Sequence, residues 1–291
     1  MRGARWLIDS LRDKLPFDKS LGQHFLVNDE LIARAVELGN VSKDDHVLEI
    51  GPGPGVLTEV LLATGCKVTA IEIDSVAVTH LNEAFGPEQQ TEQFTLLEGD
   101  GLIVKWPDSI TKVVANIPYQ ISSPLIEVLT RYLRNPRTSV LEKVVLLVQE
   151  EFAERLVMEY ESDVGSLGMT VALDWESEIE EKIAPHHFSP MPKVNSCYIS
   201  MEPHEEEWPC DVRLVRQMIH LAFDQRRKKL RSTLKNVPRR LGRVKGWHAG
   251  RWKQAFAAHL EDDRMDLRPD ELELDDWMEL CSSFTDFVFE S

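Results

Sequence analysis

Between residues 46 and 201 the chain passes through six short stretches rich in Val, Ile and Leu: 46–50, 67–73, 94–98, 112–115, 144–148 and 197–201. Stretches with helical spacing lie among them, at 31–39, 57–63, 76–84 and 123–133. Several of the β-rich runs are almost continuously apolar, as strands are when both faces of a parallel sheet are covered. Strand–helix alternation of this kind predicts an α/β doubly wound domain. No apolar run approaches the roughly 18 residues of a membrane span. The N-terminus has no signal-like apolar core, so a cytoplasmic protein is expected.

The first predicted strand ends in Glu49-Ile50-Gly51-Pro52-Gly53-Pro54-Gly55, and a helix opens behind it. Glycine is needed where backbone turns tightly and approaches a ligand with no Cβ in the way. At the carboxyl end of the first strand of such a sheet, that ligand is usually an adenosine-containing cofactor. The spacing is G-x-G-x-G, not the G-x-G-x-x-G of a dinucleotide fingerprint. The second strand ends in Glu72-Ile73-Asp74, placing an acid where ribose hydroxyls can be bound. The third ends in Glu98-Gly99-Asp100, where Asp100 can accept from an adenine amino group or cap the next turn.

The fourth strand ends in Asn116-Ile117-Pro118-Tyr119. An adenine amino group is a poor nucleophile because its lone pair is delocalised into the ring. The Asn116 amide oxygen and the Ile117 carbonyl, presented rigidly by Pro118, can accept both amino hydrogens. That bonding favours a more tetrahedral nitrogen with its lone pair aimed at a methyl donor. Tyr119 can stack on the base once it leaves its helix. At the end of strand four, after a glycine loop and two acids in order, this chemistry outweighs the simple turn that N-x-P also favours.

The chain carries a net charge of −16, which argues against a nucleic-acid partner. Its distribution argues the other way. Arg213 to Lys253 holds fourteen Lys/Arg and one acid, Asp224. A basic segment in an acidic chain is an electrostatic footprint for phosphates. Its densest part is Arg226-Arg227-Lys228-Lys229 with Arg231, which on a helix spreads around the circumference. Helical spacing continues at 212–223, 228–236, 252–259 and 271–281, with Asp270 and Glu273 as a helix start. Four glutamates and two prolines in 202–209 mark a boundary. Three segments follow: an N-terminal extension (1–20), a cofactor-binding domain (21–202) and a helical domain (203–291). Cys66, Cys197, Cys210 and Cys281 show no C-x-x-C spacing, and His186-His187 are poorly spaced as ligands. No metal site is expected.

Eight motifs in order resemble the small-subunit ribosomal RNA adenine dimethyltransferases. They begin with Leu21-Gly22-Gln23-His24-Phe25-Leu26, include the four strand ends, and continue through 149–155 and Phe188-Ser189-Pro190-Met191-Pro192-Lys193-Val194-Asn195-Ser196 to Phe223–Arg231. The resemblance implies a Rossmann-like class I methyltransferase domain with a small C-terminal helical domain. It implies S-adenosylmethionine as cofactor, bound by His24, Leu26, Gly51, Gly53, Gly55, Glu72, Ile73, Asp100 and Asn116. It makes Asn116, Ile117, Pro118, Tyr119 and Phe188 catalytic, with Tyr119 and Phe188 sandwiching the base. Arg226, Arg227, Lys228, Lys229 and Arg231 would bind RNA. The expected partners are small-subunit ribosomal RNA and the small-subunit precursor, met by a monomer. Gly168 departs from the family, which more often has a small hydroxyl residue there. The alternatives are a large-subunit RNA or DNA adenine methyltransferase, or a non-catalytic assembly factor. An NAD-dependent dehydrogenase fits poorly, since no clear hydride-transfer acid or base follows strand four.

Overall fold

The computed structural model describes residues 2–13, 24–138, 140–204 and 208–288. The chain forms two compact units. One is Met1–Ala153 with Glu176–Pro203; the other is Glu154–Trp175 with His204–Ser291.

Among the described residues the first unit carries nine strands: β1 (Phe25–Leu26), β2 (His46–Ile50), β3 (Lys67–Glu72), β4 (Phe94–Glu98), β5 (Lys112–Asn116), β6 (Lys143–Gln149), β7 (Trp175–Ile183, its first residue in the other unit), β8 (Phe188–Ser189) and β9 (Ser196–Pro203). Seven form one sheet in the order β4-β3-β2-β5-β6-β9-β7. From β4 to β6 the pairing is parallel, and β9 returns antiparallel to β6. The chain winds outward from β2 to β4, then crosses back to β5 and β6. The reversal leaves a crevice beyond the carboxyl ends of β2 and β5, where such sheets bind ligands. All five β2 residues are buried, as a doubly covered central strand requires. β1 and β8 form a separate two-stranded ladder, with Leu26 opposite Phe188.

The helices of this unit are α1 (Ala4–Arg12), α2 (Asp29–Leu38), α3 (Val56–Ala63), α4 (Ser75–Ala84), α5 (Gly86–Gln90) and α6 (Ser122–Leu133). Asn28 caps α2 by accepting from Glu30 and Leu31 amides, and Asp74 caps α4 by accepting from Val76. Thus the strand-end motif of β3 also starts the next helix.

The structure corrects the expected N-terminal extension. Helix α1 lays Ala4, Leu7 and Ile8 into the main core. Arg2 donates to Glu59 at 2.5 Å and sits over the Phe85 ring at 4.5 Å, while the Ala4 amide donates to Asp29. Apolar residues at 4, 7, 8 and 11 make the buried stripe, a spacing short enough to escape notice among charges.

The expected boundary near residue 203 is also revised. Residues 154–175 join the second unit, so that unit is built from two separated pieces of chain. It holds the second half of α7 (Glu150–Val157), then α8 (Ser166–Val171), α9 (Val212–Phe223), α10 (Leu230–Thr233), α11 (Ala249–Ala258) and α12 (Leu274–Asp286). Met169 and Leu173 share a core with Met218, Trp252, Trp277 and Phe284. At Gly168 a Cβ would lie 2.3 Å from Met158 Cγ, so here Met158 fills the space a larger residue needs. The expected helix at 228–236 shrinks to α10, because Arg226–Lys228 run as a turn. Asp270 lies in a separate turn. Helix α12 starts at Glu273, whose side chain and that of Asp276 cap each other's backbone amides. Strand β7, rich in glutamate, gave no apolar run to read.

If α1 belongs to the core, Leu7→Ala should cost about 2–5 kcal/mol in urea unfolding, the range for a fully buried leucine. A change below ~0.5 kcal/mol, usual for surface sites, would return the helix to the status of an appendage.

Candidate active site

The turns after β2, β3, β4 and β5 converge on a cavity of about 300 Å³. The glycine turn borders it. Gly53 has φ +53, and a Cβ there would meet Phe25 at 2.8 Å. Gly55 has φ +83, with Phe85 2.5 Å from any Cβ, yet it does not line the cavity. Its expected cofactor contact is therefore replaced by a packing role. Gly51 and Gly53 do line it.

Glu72 is 4% exposed and accepts hydrogen bonds from the amides of Gly53, Ile73 and Asp74, each at 2.9 Å. Three amides fix this carboxylate against the cavity wall. Ile73 beside it is 59% exposed, an apolar side chain left at the cavity rim. Of the two roles expected of Asp100, the turn cap is present. One carboxylate oxygen caps the following turn by accepting from Leu102 at 2.9 Å, while the residue itself borders the cavity.

Glu49 is a cavity residue to which the strand-end motif assigned no role. It is 1% exposed, lines the cavity and accepts from the Thr58 hydroxyl at 2.6 Å. Burial, with Glu72 adding like charge, pushes its carboxyl up to about 8. Glu72 is likewise raised, chiefly by burial. The lining holds Glu49, Glu72 and Asp100 and no Lys or Arg among the described residues. Such a cavity suits a ligand that brings positive charge of its own.

Asn116 ends β5 with its Oδ1 buried and without a hydrogen-bond partner among the described residues. A buried amide oxygen left unpaired costs free energy unless a ligand donates to it. Ile117, Pro118 and Tyr119 follow along the same wall. The Tyr119 hydroxyl and Ser196 Oγ are 2.7 Å apart, and Ser196 is fully buried. Burial raises the Tyr119 phenol above its ordinary value, so it stays neutral. The His24 ring stacks near Tyr119, with centroids 6.0 Å apart, and His24 Nδ1 donates to the Pro190 carbonyl at 2.8 Å. Leu26 and Phe188, paired across the β1–β8 ladder, complete the wall. Phe188 is 5% exposed and belongs to the core as well as to the cavity. Gln149 ends β6 opposite Ser196 and does not line the cavity; Leu147 does. Residues 21–23 of the expected cofactor-covering motif lie outside the described residues.

The five expected RNA-binding residues lie in the second unit. Arg226 pairs with Asp270 at 3.0 Å, and Lys229 and Arg231 share Asp266 at 3.0 and 2.7 Å. Arg227 and Lys228 are exposed.

A family model described as ribosomal RNA adenine dimethylase matches residues 15–243. The chain belongs to that family. It is an S-adenosylmethionine-dependent ribosomal RNA adenine dimethylase of the class I methyltransferase fold. Among its relatives, the ribosomal RNA small subunit methyltransferase A of Synechococcus elongatus is 34% identical over 285 residues, covering 94% of this chain and 96% of that protein. The protein of the same name from a Synechocystis species is 39% identical over 242 residues, 75% and 83% of the two chains. The crystal structure of a dimethyladenosine transferase from Plasmodium falciparum superposes with a TM-score of 0.74 at 26% identity, covering 88% of this chain and 96% of that one. The 23S rRNA methyltransferase ErmE shares the fold, with a TM-score of 0.62 at 24% identity over 88% and 99%. The dimethylase's cavity fits its cofactor on its own terms: S-adenosylmethionine carries a cationic sulfonium, and the lining supplies carboxylates without a competing cation.

The Glu49 carboxyl provides a pH test. A carboxyl raised in the folded state holds its proton more tightly there than when unfolded, so stability falls as pH climbs from about 4.5 to about 8. Glu49→Gln removes that dependence. Without ligand, the variant should melt above the wild type by at least about 3 °C at pH 8.5, and the gap should close toward pH 5. A gap independent of pH would show that Glu49 does not titrate in this range.

Proposed function

We propose that the dimethylase methylates the exocyclic N6 of two adjacent adenosines near the 3′ end of small-subunit ribosomal RNA, giving N6-dimethyladenosine during small-subunit assembly. The observation that carries the chemistry is the orphaned Asn116 oxygen at the end of β5, in the same cavity as the glycine turn. The choice of subunit is supported by relatives named for the small subunit that match almost end to end.

S-adenosylmethionine supplies the electrophilic methyl group. Asn116 Oδ1 and the Ile117 carbonyl accept the two amino hydrogens of the adenine. The nitrogen's lone pair is thereby withdrawn from the ring and pointed across the cavity. Pro118, with φ −58 and ψ 131, holds the Ile117 carbonyl in place. Tyr119, tethered by Ser196, presents its ring to the flipped base, and Phe188 closes the opposite side. Once the nitrogen is alkylated it is cationic and loses its proton to solvent readily, so no strong base is required. Glu72 binds the cofactor ribose, Asp100 the cofactor adenine amino group, and His24, Leu26, Gly51, Gly53 and Ile73 shape the remaining wall. Arg227 and Lys228 contact RNA phosphates, joined by Arg226, Lys229 and Arg231 as their carboxylate partners are exchanged.

The test is transfer of labelled methyl groups to undermethylated small subunits, with large subunits and DNA in parallel and products identified as nucleosides. Dimethyladenosine should appear in the small subunit alone. Asn116→Ala should lower kcat by about 100-fold or more, as misplacement of a reacting group does. Label on large subunits or DNA would redirect the substrate. Binding to small subunits without any transfer would favour an assembly factor.

Tyr119→Ala should raise KM for RNA about 10- to 100-fold, the loss of one stacked base, while Tyr119→Phe keeps the ring and most of the affinity. Equal effects of the two variants would assign the work to the hydroxyl instead of the ring.

A further inference from the structure

Within the basic segment Arg213–Lys253, a second run of cations lies downstream of the five residues expected to bind RNA. Residues 235–245 hold Lys235, Arg239, Arg240, Arg243 and Lys245 and no acid. All five are exposed, and none makes an ion pair among the described residues. The backbone beneath them is anchored at every third residue. Pro238 is buried, and Leu241, Val244 and Trp247 are 2%, 3% and 6% exposed within the helical core. Arg251 locks the far end, lying 4.4 Å over the Trp247 ring and donating to the Gly246 and Thr285 carbonyls. The loop is therefore held by its apolar residues, and its cations face outward.

This contrasts with the denser cluster upstream, where Arg226, Lys229 and Arg231 are already matched to Asp270 and Asp266. A cation with no partner neutralises a phosphate without first giving up a carboxylate, and each phosphate so neutralised releases condensed counterions. In a chain of net charge −16, a stretch of this kind concentrates the attraction for a polyanion at one place.

We propose that Lys235, Arg239, Arg240, Arg243 and Lys245 form a further phosphate-binding surface for ribosomal RNA, separate in sequence from the Arg226–Arg231 cluster. The surface grips backbone and not base edges, since it offers charge without a stacking platform of its own. The proposal rests on ribosomal RNA being the substrate.

The experiment measures affinity against salt for two probes, deproteinised small-subunit ribosomal RNA and intact undermethylated small subunits. Wild type is compared with Arg239→Gln/Arg240→Gln/Arg243→Gln. The slope of log affinity against log salt should fall by roughly 2–3, about 0.7–0.9 for each phosphate no longer neutralised, and RNA affinity should drop at least tenfold at about 100 mM salt. S-adenosylhomocysteine binding and melting temperature should stay unchanged. If the triple variant melts early, Lys235→Gln/Lys245→Gln probes the same loop from its two ends. Normal wild-type binding with an unchanged slope in the variants overturns the surface alone. Loss of binding to intact subunits with an unchanged slope on deproteinised RNA also overturns it, assigning the loop to a ribosomal protein. No salt-dependent binding of the wild type to either probe overturns the substrate reading, and this surface with it.

Discussion

Parallel, in-register pairing of β2 with β3 on one side and β5 on the other brings four turns of the chain to one level. Ile50 faces Ile71 across one ladder, and Glu72 faces Glu98 across the next. The ladder even continues into the turns, where Gly51 donates to the Ile71 carbonyl and Gly99 to that of Glu72. In a sheet of this kind a slip of one residue would turn every side chain to the opposite face. In β2 such a slip would swing Glu49 away from the Thr58 hydroxyl, and in β3 it would take Glu72 from the amides of Gly53, Ile73 and Asp74. The groups that line the cavity are thus set relative to one another by the register of the sheet that carries them.

That arrangement also explains how a cavity tolerates three carboxylates. Glu72 is held by backbone amides, Asp100 by the cap of its own turn, and Glu49 by one hydroxyl together with a proton. Each is stabilised differently, so the three do not simply repel one another. Backbone dipoles and protonation take the place that lysine or arginine would otherwise fill, and the positive charge is left for the ligand to bring.

Much of this was readable from sequence. The central strands and the helix at 212–223 announce themselves through continuous apolar runs and helical spacing, and the strand-end motifs sit where the crevice forms. What stayed hidden shares one physical character: it depends on partners distant in sequence. Glu49 looks like an ordinary residue before a glycine turn until Thr58 and Glu72 close around it. Ser196 gains its role through Tyr119, 77 residues away. β1 and β8 are two residues each and exist only as a pair. Gly55 carries the same pattern as Gly51 and Gly53, but its neighbour is Phe85 and not the cavity. The basic turn at Arg226–Arg231 reads as free charge until Asp266 and Asp270 return to meet it.

The second unit's construction from two stretches of chain has a consequence for its synthesis. Met169 and Leu173 leave the ribosome early, yet the partners that bury them extend to Phe284. At translation speeds of about 5–20 residues per second, that apolar surface stays uncovered for roughly 5–20 s. Meanwhile β7 and β9 emerge and can complete the sheet of the first unit. The nascent chain therefore passes through a stage with one finished unit and one half-built core, the stage at which a holding chaperone has most to offer it.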